Sequence, residues 1–124
     1  MTAVLILLVA LFFLCMGLYG LTMPDRLTAP FSIAADSATS RTEVRAVYGG
    51  FGVAVAVALV LAAFDVGDIG TGVCIAVAAA LAGMAFGRIV SALVGDRTGF
   101  YPVWFYFVVE LVLAGMLVVA VAVG

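Results

Sequence analysis

The sequence predicts an all-α protein, an integral membrane four-helix bundle with spans at about residues 2–21, 41–63, 71–94 and 102–123. Three observations carry that prediction. Of the 124 residues, 68% are hydrophobic and 10% are charged, a balance outside that of soluble globular domains. The apolar residues fall into four runs, each near the twenty or so residues that a helix needs to cross about 30 Å of hydrocarbon. Nearly all of the charge lies between those runs, and the exceptions deep inside them are Arg88 and Glu110. We read residues 1–124 as a single transmembrane domain with one polar connection at 22–40.

Composition also excludes chemistry. The chain has no His, and its five basic residues are all Arg. Catalytic triads, Schiff bases, P-loops and His-based metal sites are therefore unavailable, and two cysteines do not make a thiolate cage. No metal or cofactor is expected. Seven acidic residues outnumber the five arginines and are spread over the loops, so no nucleic-acid footprint is read.

The first run, Met1 to Leu21, carries no charge. It lacks a basic segment before its apolar core, and Met23-Pro24-Asp25 follows it in place of a small-residue cleavage site, so we expect a retained helix. Its Leu and Phe content predicts the most lipid-exposed of the spans. The connection from Thr22 to Ser40 contains Pro24, Pro30, Asp25, Arg26 and Asp36. A polar connection of this length is either a solvated linker or functional. The semi-apolar patch Phe31-Ser32-Ile33-Ala34 favours an interfacial lid over the helix ends.

Ser40-Arg41-Thr42-Glu43 matches a capping box, which starts the second helix near Arg41. Along that helix Gly50, Ala54, Ala58 and Ala62 form a four-residue ladder of small side chains. The third helix has its own ladder at Ala79, Gly83, Gly87, Ser91 and Gly95, including one G-x-x-x-G. Small residues let helix backbones approach in lipid, so Gly49, Gly50, Gly83 and Gly87 are packing candidates and helices two and three the expected closest pair. The bland alternative is the general smallness of an Ala- and Gly-rich chain. Asp68 or Thr71 can cap the third helix after the short turn at 64–70.

Pro102 suits the first turn of the fourth helix, where its missing N–H costs nothing. Phe100, Tyr101, Trp104, Phe105 and Tyr106 form an aromatic band of the kind that sits at a membrane–water boundary. Cys15 and Cys74 fall near opposite ends of their helices, too far apart in depth for a disulfide, and are read as packing residues.

The arginines orient the bundle. All five lie in or near the connections between helices one and two and between helices three and four, which the positive-inside rule makes cytoplasmic, with both termini extracytoplasmic. Arg88 lies seven residues before Gly95, about 10 Å along a helix, and Glu110 eight after Pro102, about 12 Å. Antiparallel neighbours joined between them put both at one depth. Arg45 and Tyr48 enter from the same face at the start of helix two. The expected site is therefore a polar pocket at the cytoplasmic end, lined by Arg45, Tyr48, Arg88, Ser91 and Glu110 and carrying more positive charge than Glu110 neutralises. The alternative is an interhelical Arg88–Glu110 ion pair with Arg45 reaching for headgroup phosphates.

Arg45-Ala-Val-Tyr48-Gly49-Gly50, Arg88-x-x-Ser91 and the late Glu110 resemble DUF4345, a family of bacterial membrane proteins of unknown function. The resemblance covers most of the chain, from the long connection onward. It implies a small four-helix protein of the inner membrane, with Arg45, Tyr48, Gly49, Gly50, Arg88, Ser91 and Glu110 as motif positions, and it brings no activity. The chain departs from the pattern at Thr42-Glu43, where an Asn-Glu pair is expected.

Three function classes follow. The first is a binding protein whose pocket holds an anionic lipid headgroup, a quinone-like molecule or a small anion. The second is an accessory or structural subunit, in contact with membrane lipids and either a second copy of itself or a larger membrane protein. The third, an intramembrane enzyme with Glu110 as acid/base and Tyr48 as proton donor, lacks a second carboxylate, a metal site or an activated nucleophile.

Overall fold

The computed structural model describes residues 2–124, and it is all-helical. Helix α1 (Thr2–Thr22) leads into a short α2 (Pro24–Thr28) and a 3-10 turn at Ala29–Phe31. Helix α3 runs through Ala38–Ala63, with a wide π-type segment at Arg45–Gly50. Helix α4 is Gly70–Leu93, and α5 is Phe105–Val123, preceded by a π-type turn at Phe100–Trp104. Thr2–Thr22, Ala38–Ala63, Gly70–Leu93 and Phe100–Val123 are each long and apolar enough to cross a membrane, the architecture the sequence predicts.

Helix starts differ from the sequence reading: the regular part of α5 begins at Phe105 and not at 102, with Pro102 inside the π-type turn before it. Helix α3 begins three residues earlier than expected, because Ser37 and not Ser40 is its cap. The Ser37 hydroxyl accepts from the Ser40 amide at 3.0 Å, and the Ser40 hydroxyl accepts from the Ser37 amide at 3.1 Å. Ser40 is thus the inner member of the capping box. At the start of α4, neither Asp68 nor Thr71 caps: Asp65 does the equivalent work, its Oδ1 accepting from the Gly70 amide at 2.9 Å.

The expected closest pair is also corrected. Helix α1 packs most extensively on α3, and α4 on α5, while α1 against α5 and α3 against α4 close the ring. Four glycines bring α1 and α3 together. A Cβ on Gly17 would lie 2.7 Å from the Val53 nitrogen, one on Gly49 3.0 Å from the Leu21 nitrogen, and one on Gly52 3.0 Å from the Gly17 Cα. Gly20 faces Gly49 just as closely. In lipid, where apolar burial gives little net drive, this backbone proximity is what association uses.

Gly83 and Gly87, by contrast, pack against nothing: a Cβ on either meets no atom within 4 Å. The buried stripe of α4 is Gly70, Cys74, Ala78, Leu81 and Ala85, one to two residues out of phase with the predicted ladder, whose members Ala79, Gly83, Gly87 and Ser91 face outward. On α3 from Phe51 onward the buried residues are Gly52, Ala56, Leu59 and Ala62; Gly50 and Ala54 are exposed, and of the expected ladder only Ala62 is fully buried. Nor is α1 the most lipid-exposed span. Its most apolar stretch is 28% buried against 22% for α4, which has that role.

The main core lies in the half of the bundle nearer the chain ends, where Ile6, Val9, Ala10, Leu59, Leu81, Leu113 and Leu117 interlock. A smaller cluster of Leu27, Ala35 and Val44, with Met16 against it, ties the α1–α3 connection onto the opposite end. The connection is therefore folded and not a free linker. The Thr28 hydroxyl, buried within it, donates to the Pro24 carbonyl at 3.1 Å. Gly124 lies beside Thr2, so the described ends of the chain share one face of the bundle with the 64–70 turn.

Candidate functional site

Near the end opposite the termini, where the aliphatic core gives way to the folded connection, two helices bring opposite charges together. Arg88 stands on the inward side of α4, three residues beyond buried Ala85, and Glu110 is buried on α5. The Arg88 Nε donates to Glu110 Oε1 at 2.9 Å and its Nη2 donates to Oε2 at 2.8 Å. This is a bidentate fork, the geometry that makes an arginine–carboxylate pair both strong and rigid. The two side chains are 20% and 6% exposed.

The pairing follows from the chain path. Both residues lie about the same distance from the tight connection after α4, so an antiparallel turn levels them. At lipid depth neither charge persists alone, and each supplies the other's counter-ion. With Nε and Nη2 committed, the third guanidinium nitrogen, Nη1, has no partner among the described residues. No side-chain polar atom among these residues is both buried and unpaired, so Nη1 is not fully buried.

The other residues predicted for this site stand apart. Arg45 is exposed, and its Nε donates to the Leu21 carbonyl at 3.0 Å, satisfying one of the orphan acceptors at the end of α1. It is bound to a helix end and not to Glu110. Tyr48 is exposed on α3, and Ser91 is exposed on α4. No hydrogen bond or ion pair among the described residues links Arg45, Tyr48 or Ser91 to the Arg88–Glu110 fork. Gly49 belongs to the α1–α3 contact, while the nearest atom to a Cβ on Gly50 is the Arg45 carbonyl, 3.7 Å away and in its own helix.

An aromatic cluster around Tyr106 lies at this end of the bundle. Tyr106 is one turn before Glu110 on α5, on the same face. Tyr106 is within electrostatic reach of Arg88 and of Tyr19 on α1. Phe31, from the 3-10 turn of the connection, lies on the Tyr106 ring with centroids 5.4 Å apart. The aromatic band continues from there, Tyr106 to Phe105 at 5.1 Å and Phe105 to Tyr101 at 5.7 Å. Tyr106 was legible in the sequence as an i, i+4 partner of Glu110. Phe31 was legible only as part of the interfacial patch at 31–34, and Tyr19 not at all, because their contacts depend on how the connection folds back.

A cavity of about 630 Å³ also lies at this end, but in the connection itself, lined by Asp25, Ser32, Ile33, Asp36 and Arg41 among others. It does not include the ion pair. A second, about 360 Å³ and apolar, is a groove between α1 and α3 bounded by Leu7, Leu11, Leu14, Val57, Val60 and Leu61. Among the described residues no cluster of His, Cys, Asp and Glu could hold a metal ion. Cys15 and Cys74 are free thiols.

Residues 1–121 match the family model described as Domain of unknown function (DUF4345). No curated protein and no solved structure matches the chain.

Proposed function

The chain belongs to the DUF4345 family, and we propose that it binds, beside Arg88 and Glu110, the oxygen-bearing head of a molecule dissolved in the membrane. The observation that carries this reading is the Arg88 guanidinium. Glu110 occupies two of its nitrogens and leaves Nη1 as an accessible donor at lipid depth. A buried ion pair contributes little net stability once desolvation is counted, so its retention calls for a further role. A donor facing hydrocarbon calls for an acceptor oxygen, which lipid phosphoryls, carboxylates and ring carbonyls all carry. The molecule would arrive sideways from the bilayer, because neither cavity reaches the pair.

A second reading, a subunit that associates with a copy of itself or with a larger membrane protein, draws on the outward-facing ladder of α4. Gly83 and Gly87 are exposed there, where a second helix could approach closely. The enzymatic reading finds less support, since both Glu110 oxygens are engaged and Tyr48 is exposed on another helix.

In either case we place the protein in the bacterial inner membrane with both termini extracytoplasmic. The positive-inside rule supports this, with the shared position of the ends. Native mass spectrometry of the full chain in mild detergent separates the readings. A retained small molecule of constant mass supports binding, a stoichiometric protein partner supports the subunit, and a bare monomer contradicts both.

A further inference from the structure

Resting on the binding reading above, we infer that the head held beside Arg88 is an uncharged planar ring bearing acceptor oxygens, and that Phe31 and Tyr106 hold its face. Charge decides against an anion. Glu110 cancels Arg88 through both of its oxygens, and Arg45 is tied to the Leu21 carbonyl. A phosphate or carboxylate entering here would lose its hydration to meet a site of no net charge, a cost that a single further hydrogen bond does not return. A neutral carbonyl oxygen has no such cost.

The polar atoms left over agree with that choice. Arg88 Nη1 can only donate, and the hydroxyl of Tyr106, one turn before Glu110 on α5, can donate as well. The walls are rings. Phe31 and Tyr106 are tilted 37° to one another, and both are half-buried. Aromatic faces at about 4.5 to 7 Å favour a further ring over a flexible polyol or ethanolamine head.

The experiment uses the whole protein in mild detergent with a short-chain alkylated benzoquinone as probe, read by fluorescence. Trp104 is the only tryptophan, packs on Phe107 at 5.2 Å, and lies two residues before Tyr106, so a bound quinone quenches it. The wild type should show saturable quenching. Phe31→Ala and Tyr106→Leu should each weaken it by roughly three- to tenfold, the loss of one ring contact. Phe64→Ala, an exposed ring at the opposite end of the bundle, should leave it unchanged.

Non-saturating quenching, or equal affinity in wild type and both aromatic variants, overturns the inference. A parallel titration with phosphatidylglycerol distinguishes the layers of the argument. If that lipid binds in an Arg88-dependent way and the quinone does not, the ring is wrong and the binding reading stands. If neither binds, both fall.

Discussion

Gly17 and Gly52 meet backbone to backbone at the α1–α3 crossing, so that a Cβ on Gly52 would come within 3.0 Å of the Gly17 Cα. Backbone cannot rotate aside as a side-chain tip can. Gly17→Ala and Gly52→Ala should each destabilise by about 1 to 3 kcal/mol, the usual cost of forcing atoms into a packed contact. Gly87→Ala meets open space and replaces the poorest ordinary helix former with the best, so it should be neutral or stabilising by up to about 1 kcal/mol. Thermal unfolding in detergent checks the contrast.

Ser37 and Ser40 cap α3 reciprocally, which makes the start of that helix testable. Ser37→Ala should cost about 0.5 to 2 kcal/mol, and Glu43→Gln should cost almost nothing, since Glu43 takes no part in the box. The opposite ranking in a denaturation series would restore a helix start at Arg41.

Arg45 holds the end of α1 through a single exposed hydrogen bond to Leu21. Its loss in Arg45→Leu should cost about 0.5 to 1.5 kcal/mol, less than the loss of either member of the buried pair. Retained-ligand mass should be unaffected, because Arg45 does not touch Arg88 or Glu110. A variant that folds but arrives without the bound molecule would return Arg45 to the site.

These contrasts show which features the chain states openly. Four spans were legible because length and hydropathy alone decide whether a helix can cross a bilayer. The Arg88–Glu110 level was legible because equal spacing from one tight connection fixes equal depth. Helix pairing was not, because small residues lie on two faces of α4 and only tertiary packing chooses Ala78 and Ala85 over Gly83 and Gly87. The matched pairs Gly17-x-x-Gly20 and Gly49-x-x-Gly52 were the missed signal, hidden by the assumption that a Leu- and Phe-rich first helix faces lipid. Arg45 was misplaced for a related reason: sequence shows a charge near a helix start but not the carbonyl that a neighbouring helix end presents to it.

Orientation can be read directly. Reporter fusions before Thr2 and after Gly124 should both be active only outside the cytoplasm. A cytoplasmic signal from the C-terminal fusion would invert the bundle, and signals on opposite sides would contradict the four-span path itself.

The central claim is that Arg88 and Glu110 serve a bound molecule as well as the fold, and a double-mutant cycle read by native mass spectrometry tests it most directly. Removing one member leaves the other charged and unpaired at lipid depth, so Arg88→Leu and Glu110→Leu should each cost about 3 to 5 kcal/mol. The double variant should cost less than their sum. It should fold, and it should lose the mass that the wild type retains. A stable double variant that still carries the wild-type molecule would contradict the claim, as would single effects that simply add.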